Sequence, residues 1–300
     1  MTLKNINDKI EINLENNEIP QIESNQVLIQ INYSDLNYKD ILATKINSGV
    51  IKQYPIVPGI DLSGVVLKSN SSNFTRFDKV LVTGYGLGIS ANGGLEEYAV
   101  VPADWIIKLP QQLSLKDAML YGTAGLTAGL SVHKLLQHNI RKDDNILITG
   151  GTGGVASISL AILKKLKFRK ITVTTRKISN ENTLKELGAT KVITNNDLIT
   201  HKLLDHQKYD FVIDTIGEKT IPNILPQIKY GGGISICGNV SGAKLNTTIL
   251  PFILRNITMY GIDSVNIPNQ DKANIWRNLA AKWNVTKKLK KTLTKSLLTQ

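Results

Sequence analysis

Glycine is concentrated between Gly150 and Gly154, in the segment TGGTGGVA that follows the apolar run Ile146–Ile148. Gly150, Gly153 and Ala156 are spaced by three residues, and small and apolar residues continue beyond them. Glycine lets a strand turn sharply into a helix and lets backbone N–H groups approach a pyrophosphate, which the positive helix N-terminus also attracts. The segment is therefore a variant of the dinucleotide-binding fingerprint. A plain strand-to-helix turn is the alternative interpretation.

The residues after the next apolar run indicate which dinucleotide would bind. An NAD site has Asp or Glu about 20 residues after the glycines, where the carboxylate holds the ribose 2′-hydroxyl. No acidic residue lies between Asp144 and Glu181, and the run ends in Thr175, Arg176 and Lys177. Cations and hydroxyl donors suit a 2′-phosphate, whereas a carboxylate would repel it. The sequence therefore predicts NADPH rather than NADH, with a solvated basic turn as the alternative.

Strand and helix patterns alternate from Ser114 onwards, which predicts an α/β region with a doubly wound parallel sheet of Rossmann type around the glycine turn. The strand-like runs are Ile146–Ile148, Ile171–Thr175, Lys191–Ile193, Phe211–Asp214, Ile234–Cys237 and Ile257–Tyr260. The glycines at Gly188 and at Gly231–Gly233 are each expected to end a helix.

The chain before Ser114 has a different pattern. Short apolar runs such as Val27–Ile31 and Leu62–Leu67 are separated by turns rich in glycine and proline. This pattern predicts a β domain of partly open barrel type. One helix is expected within it, beginning at about Asn37.

Composition describes an ordinary globular protein. The chain has 300 residues, 42% of them hydrophobic, and a mean hydropathy of −0.07, which suits two domains. No apolar run is long enough to span a membrane. The polar N-terminus does not resemble a secretory signal, and Cys237 is the only cysteine. We therefore expect a cytoplasmic protein without disulfides.

The net charge of +12 is unevenly distributed. Residues 272–300 contain eight lysines and arginines and no acidic residue, while the rest of the chain is only mildly basic. A basic segment at one end of a chain is usually a solvated surface. We expect no nucleic-acid partner.

Seven short motifs can be compared with known families: Leu36–Asp40 (LNYKD), Pro58–Asp61 (PGID), Gly93–Glu96 (GGLE), Gly122–Ala128 (GTAGLTA), Thr149–Val155 (TGGTGGV), Pro251–Asn256 (PFILRN) and Gly261–Val265 (GIDSV). Together they resemble the zinc-free medium-chain dehydrogenase/reductase superfamily, and within it the quinone oxidoreductase group that includes NADPH-dependent acryloyl-CoA reductase. The resemblance implies a GroES-like β-barrel catalytic domain at residues 1–113, a Rossmann NADP-binding domain at 114–249 and a return to the catalytic domain at 250–300. A homodimer is also expected.

The resemblance predicts that no metal is bound. Zinc-dependent relatives have Gly-His-Glu where this chain has Gly59, Ile60 and Asp61, and they have a lobe of four cysteines that is absent here. Four histidines remain, and we expect packing or surface roles for them. Two of these, His201 and His206, fall in a polar segment that is predicted to be helical.

The resemblance also implies which residues form the site. Cofactor contacts are expected at Tyr38, Thr152, Gly153, Gly154, Val155, Thr175, Arg176, Lys177, Lys191, Asn239, Ile253 and Ser264. The catalytic candidates are Asn37, Tyr38 and Asp61, with Asn37 and Asp61 lining the substrate pocket. Alternative roles are a helix cap for Asn37, a turn for Asp61 and a core ring for Tyr38.

The implied reaction is reduction of an activated alkene, and acryloyl-CoA is the first candidate substrate. It requires hydride delivery to the β-carbon, donors for the developing enolate and a proton for the α-carbon. Asn37 and backbone N–H groups could stabilise the enolate, and Tyr38 or solvent could supply the proton. A quinone is the alternative substrate in the same class. A catalytically impaired NADPH-binding protein is the alternative of another class.

The end of the chain departs from the family pattern. Family members continue with a helix and a final strand that contains Gly-Arg, whereas this chain ends KKLKKTLTKSLLTQ. By comparison with the typical family length, about 25 residues are expected to be missing. We expect this truncation to weaken turnover while NADPH binding survives, because the nucleotide loop is complete.

Overall fold

The computed structural model describes the backbone of residues 1–298 and the side chains of residues 1–292. Its strands are β1 (Thr2–Ile6), β2 (Lys9–Asn13), β3 (Gln26–Tyr33), β4 (Asp61–Ser69), β5 (Lys79–Thr83), β6 (Tyr98–Pro102), β7 (Ile106–Lys108), β8 (Asn145–Ile148), β9 (Lys170–Thr174), β10 (Lys191–Ile193), β11 (Tyr209–Asp214), β12 (Ile228–Ile236) and β13 (Thr258–Gly261). Its α-helices are α1 (Tyr38–Ala43), α2 (Leu115–Gln137), α3 (Gly154–Lys165), α4 (Glu181–Leu187), α5 (Ile221–Ile224), α6 (Leu250–Arg255), α7 (Asn269–Ala280) and α8 (Thr286–Leu298). None of these helices is long and apolar enough to cross a membrane.

The chain forms two compact units, each built from two separate segments. Unit 1 comprises residues 1–126 and 264–281, and unit 2 comprises residues 127–263 and 282–300. The domain limits expected from the sequence, at residues 113 and 249, stay a prediction beside the unit boundaries at 126 and 263. The first boundary falls inside α2, where the helical pattern continues without a break in composition, so the sequence gives no signal for it.

Unit 1 is built on a five-stranded antiparallel sheet with the strand order β6-β3-β4-β5-β7, beside the hairpin of β1 and β2. Alternate residues of the sheet face the core, where Val27 and Ile29 of β3 pack with Leu62 of β4 and Val80 and Val82 of β5. All five are fully buried. The alternation follows from the period of two along a strand, and it confirms the predicted β-rich domain.

Unit 2 contains a six-stranded parallel sheet with the order β10-β9-β8-β11-β12-β13. All six predicted strands are present, and the predicted doubly wound sheet is confirmed. From β8 the chain first adds β9 and β10 on one side and then returns to add β11, β12 and β13 on the other. The strand order therefore reverses at β8, and in open α/β sheets ligands bind beside the carboxyl ends of the strands at such a reversal.

The sequence predicted that the glycines at 231–233 end a helix, and this prediction is wrong. They lie inside β12. Gly231 has a φ of +69°, and the pairing between β11 and β12 shifts register here. The carbonyl of Gly231 accepts a hydrogen bond from His138 Nε2 at 2.7 Å, while Tyr260 Oη lies 2.7 Å from His138 Nδ1. The glycines form a bulge that brings the Gly231 carbonyl to His138. This contact cannot be predicted from the local sequence.

The predicted helix around His201 and His206 is also absent, because residues 199–208 adopt no regular structure. The backbone of this segment bonds to another part of the chain instead of to itself. Asp205 N donates to Pro226 O at 2.9 Å, and Lys208 N donates to Gln227 O at 2.8 Å. These bonds replace the i→i−4 bonds that a helix would need.

Arg255, the arginine of the PFILRN motif, fixes the same segment. Its guanidinium donates to Pro226 O at 2.6 Å, Ile228 O at 3.1 Å and Asp205 O at 2.5 Å. A lysine has one nitrogen and cannot reach three carbonyls in fork geometry. We expect Arg255→Lys to lower the free energy of unfolding by about 2 kcal/mol, measured by urea denaturation followed by circular dichroism.

Arg169→Lys is the matched control in the same unit. Arg169 forms an exposed ion pair with Asp143, and the loss of such a pair costs less than about 1 kcal/mol. Equal unfolding midpoints for the two variants would contradict the structural role of Arg255.

Candidate functional site

The glycine turn of unit 2 connects β8 to α3 and is packed directly against the end of β9. Gly150 has a φ of +66°, and its N–H donates to Thr174 Oγ1 at 3.2 Å. Gly151 N donates to Thr174 O at 2.8 Å, and a Cβ at Gly151 would lie only 2.2 Å from Val173 Cγ1. Gly153 occupies the N-cap of α3. Glycine is therefore required here for both backbone conformation and close approach.

The basic turn begins one residue after Thr174, so the two features predicted to form the nucleotide site are adjacent. Thr175 is buried, and its hydroxyl bridges the turn by donating to Lys177 O and accepting from Lys177 N, each at 3.2 Å. Arg176 and Lys177 are exposed and form no ion pair within the described part of the chain. Their charges are available to an anion beside the glycine turn.

The remaining residues of the predicted loop stay accessible at the start of α3. Thr152, Gly153 and Gly154 are exposed, and Val155 is half-buried. A helix of 12 residues begins at Gly154, so its first N–H groups point toward this surface. The arrangement can bind a phosphate through backbone N–H groups and the helix dipole.

Asp214, which was not among the predicted site residues, lies at the end of β11 behind the glycine turn. Its carboxylate accepts hydrogen bonds from Thr149 Oγ1 at 2.8 Å, Thr220 Oγ1 at 2.7 Å and Gly217 N at 2.8 Å. Burial raises the pKa of Asp214, and these donors act against that shift. The network fixes the loops after β8 and β11. An aspartate that closes an apolar strand is the sequence signal that could have identified it.

The other predicted cofactor contacts lie in different parts of the two units. Asn239 follows β12, where a Cβ at Gly217 would lie 3.1 Å from the Asn239 Cα atom, so Asn239 is close to the loop after β11. Lys191 begins β10, two residues before its carboxyl end, and Ile253 is an exposed residue of α6. Ser264 is buried and belongs to unit 1.

In unit 1 the predicted residues Asn37 and Asp61 are in contact. Asn37 Nδ2 donates to Asp61 Oδ2 at 3.0 Å and to Asp35 Oδ1 at 2.6 Å. Asn37 also occupies the N-cap position of α1, and its backbone N–H donates to Asp40 Oδ2 at 2.7 Å. The helix-cap position and the polar contact coexist. Tyr38, the first residue of α1, is 52% exposed.

Asp61 is completely buried at the start of β4. In addition to Asn37, Asp61 Oδ1 accepts from Asp35 N at 3.3 Å and Asp61 Oδ2 accepts from Thr123 N at 3.0 Å. The last bond depends on a kink in α2, where Gly122 adopts a φ of +49°. The three N–H donors satisfy the hydrogen-bonding capacity of this carboxyl where water is excluded.

Asp35 is the member of this cluster that was not predicted. It lies in the loop between β3 and α1, is half-buried, accepts a hydrogen bond from Asn37 Nδ2 and is also hydrogen-bonded to the Asp61 side chain. Burial and then the adjacent charge of Asp61 raise the pKa of Asp35 to about 9. Burial also raises the pKa of Asp40. At neutral pH Asp35 is therefore protonated.

A second carboxyl with a displaced pKa lies elsewhere in unit 1. Burial raises the pKa of Glu96, the last residue of the GGLE motif, to about 7, and the N-terminal amine lowers it slightly. The sequence identifies the motif, but it does not indicate that the Glu96 carboxyl is partly buried.

No three His, Cys, Asp or Glu side chains converge on a potential metal site within the described residues. The absence of a bound metal nevertheless stays a prediction.

The raised pKa of Asp35 predicts how the stability of the protein depends on pH. Between pH 4 and 9 the folded state keeps a proton that the unfolded state has lost, so stability falls as the pH rises through this range. The side chain at position 35 of Asp35→Asn is neutral at every pH. The free energy of unfolding of this variant should therefore increase relative to that of the wild type by up to about 1.4 kcal/mol per pH unit. Urea unfolding of both proteins at pH 5, 7 and 9 measures this.

Glu96 also has a raised pKa, but it is not among the groups that shift the pKa of Asp35, so its contribution cancels in the difference. A difference in unfolding free energy that stays constant from pH 5 to 9 would show that Asp35 is ionised in the folded state.

Two family models match the chain. Residues 23–111 match the alcohol dehydrogenase GroES-like domain, and residues 154–281 match the zinc-binding dehydrogenase model. The first lies in the β-rich part of unit 1, and the second begins at the first residue of α3.

Individual relatives match over most of their length. YhfP of Bacillus subtilis, named provisionally as a quinone oxidoreductase, is 40% identical over 91% of this chain and 84% of its own. Its crystal structure with NAD bound has a TM-score of 0.91 and covers 98% of this chain and 95% of that chain. The acrylyl-CoA reductase AcuI of Ruegeria pomeroyi is 35% identical over 85% of this chain and 78% of its own.

A structure with the phosphorylated cofactor is equally similar. Escherichia coli K-12 YhdH with bound NADPH has a TM-score of 0.91 and 35% identity, covering 96% of this chain and 90% of that chain. Because matches above 30% identity extend over most of the sequence, the chain belongs to the medium-chain dehydrogenase/reductase family and is an oxidoreductase of that type.

Proposed function

We propose that the chain binds NADPH in unit 2 and reduces the activated carbon–carbon double bond of an enoyl thioester, with acryloyl-CoA converted to propanoyl-CoA. The observation that carries the cofactor choice is the pair of hydrogen bonds that join the glycine turn to Thr174, immediately before the Thr175–Lys177 turn. They hold a pyrophosphate loop and two free cations side by side. NADPH is the nicotinamide cofactor that needs both.

The residues present fit that cofactor. The N-terminus of α3 and the exposed backbone at Thr152–Gly154 would hold the pyrophosphate. Arg176 and Lys177 would hold the 2′-phosphate, and the buried Thr175 hydroxyl keeps their turn in shape. No carboxylate occurs in this turn. The same fold accepts NAD in the YhfP structure, so the cofactor preference depends on these cations.

The substrate proposal is supported by the acrylyl-CoA reductase relative and by the polar cluster of unit 1. NADPH, when bound, supplies the hydride. Asn37 is held between two carboxyl groups, and its fixed amide is suited to orienting a polar substrate group. Asp61 positions Asn37 rather than meeting the substrate itself, because its carboxylate is fully buried.

A homodimer and a cytoplasmic location stay predictions. The former is an expectation for the family, and the latter follows from composition and cysteine usage.

Removing the two cations should weaken NADPH binding without affecting NADH. In Arg176→Ala/Lys177→Ala we expect the Kd of NADPH to rise at least about tenfold, because charge-assisted hydrogen bonds to the 2′-phosphate are lost. The Kd of NADH, which has no phosphate there, should change less than about threefold. Titration of nucleotide fluorescence measures both constants.

The matched control is Arg169→Ala/Lys170→Ala, which removes two exposed cations at the opposite end of the same strand. Its Kd for NADPH should stay close to the wild-type value. Equal weakening in the two double variants, or equal loss of NADPH and NADH affinity, would refute the 2′-phosphate assignment.

The reaction itself can be tested directly with the full chain. We expect NADPH absorbance to fall on addition of acryloyl-CoA, with propanoyl-CoA formed in equal amount, and a rate with NADH at least about tenfold lower. Liquid chromatography with mass spectrometry quantifies the product.

Turnover of a benzoquinone but not of acryloyl-CoA would move the function to the quinone reductase class. Absence of turnover with both, while NADPH still raises Tm, would indicate a nucleotide-binding protein without catalysis.

A further inference from the structure

The proposed reduction needs a proton at the α-carbon, and the residues predicted from the sequence do not provide a good donor. The amide of Asn37 has no acidic proton. Tyr38 is more than half exposed, on the first turn of α1. Asp61 is completely buried and its carboxyl is fully occupied by three N–H donors.

Asp35 differs from Asp61 in the two properties that a proton donor requires. It is only partly buried, whereas Asp61 is completely buried. Its carboxyl accepts one side-chain hydrogen bond, from Asn37 Nδ2 at 2.6 Å, against three N–H donors at Asp61. Two adjacent carboxyl groups cannot both be charged at low cost, so the proton of the pair resides where fewer donors favour the anion.

The fold makes room for this carboxyl. A Cβ at Gly122 would lie 2.1 Å from Asp35 Oδ2 and 2.9 Å from Asp61 Oδ2. A glycine with positive φ therefore breaks the regularity of α2 where the two carboxyl groups meet. Any other residue at 122 would displace Asp35, so the position of the carboxyl is a built feature of unit 1.

We propose that Asp35 is the acid that gives its proton to the α-carbon of the reduced substrate, an inference that rests on the proposed alkene reductase function. Hydride addition at the β-carbon leaves the electron pair of the double bond in a thioenolate. The O–H bond of Asp35 then breaks as the C–H bond at the α-carbon forms, and its electron pair stays on the Asp35 carboxylate. Acryloyl-CoA, NADPH and one proton give propanoyl-CoA and NADP⁺.

The neighbouring charges also restore the acid after each turnover. Once Asp35 has lost its proton it faces Asp61 on β4 and Asp40 on α1, while α2 contributes backbone atoms at Gly122 and Thr123. Repulsion from the two acidic neighbours and partial burial both favour uptake of a proton from solvent. The pKa of about 9 keeps Asp35 protonated at neutral pH.

The test measures both the rate and the face of protonation. With acryloyl-CoA and NADPH in D₂O, the wild type should place one deuteron at C2 on a single face, detected by ²H NMR of a chiral ester of the propanoate. Asp35→Asn should lower kcat at least about 100-fold, and its residual product should have deuterium on both faces. The kcat of the wild type should fall above about pH 9, and this limb should be absent in Asp35→Asn.

Four comparisons keep the outcome unambiguous. Asp35→Glu should recover part of the rate, Tyr38→Phe should keep deuterium on one face, and Asp78→Asn, a charge loss at a turn of the same unit, should behave as wild type. A far-ultraviolet circular dichroism spectrum like that of the wild type, with cooperative unfolding in urea, shows that Asp35→Asn is folded. A wild type that does not reduce acryloyl-CoA refutes the proposed function, whereas an active wild type with an equally fast, single-faced Asp35→Asn refutes the role of Asp35 alone.

Discussion

The buried carboxyl of Asp61 is the constraint on which the polar cluster of unit 1 depends. A carboxylate removed from water loses several kcal/mol of hydration unless hydrogen-bond donors replace it. Three N–H groups do so, from Asp35, Asn37 and Thr123. They come from a loop and from a helix that must bend at Gly122 to present its N–H. The positions of Asp35 and Asn37 follow from the need to satisfy one buried carboxyl.

Unit 2 also surrounds a buried aspartate with hydrogen-bond donors. Asp214 is buried at the end of β11, where two threonine hydroxyls and the backbone N–H of Gly217 surround its carboxyl. The loops that carry these donors are the loops beside the glycine turn. Groups suited to contacting a ligand are therefore not needed to stabilise these loops. Arg176, for example, forms no ion pair within the described residues and is available to bind a ligand.

The sequence predicted what depends on local pattern and missed what depends on distant contacts. Six apolar runs identified the six strands of unit 2, because buried parallel strands are continuously apolar. Asn37 was predicted as a helix start because its preference for that position is local. Asp35 lies in a polar loop. It is close to Asp61, which is 26 residues away in sequence, because β3 pairs with β4. Nothing within a short window reports a neighbour at that distance.

Motif comparison and physical chemistry point to different residues of the polar cluster of unit 1. The motifs point to Asn37 and Asp61, and both of these side chains are engaged in holding the cluster together. The proton lies on Asp35, which precedes the LNYKD motif and whose pKa is raised by burial and by its acidic neighbours. Burial and the adjacent Asp61 raise the pKa of Asp35, and the single N–H donor that reaches its side chain, from Asn37, acts against that shift. The buried Asp61 thereby holds its neighbour Asp35 as a proton donor.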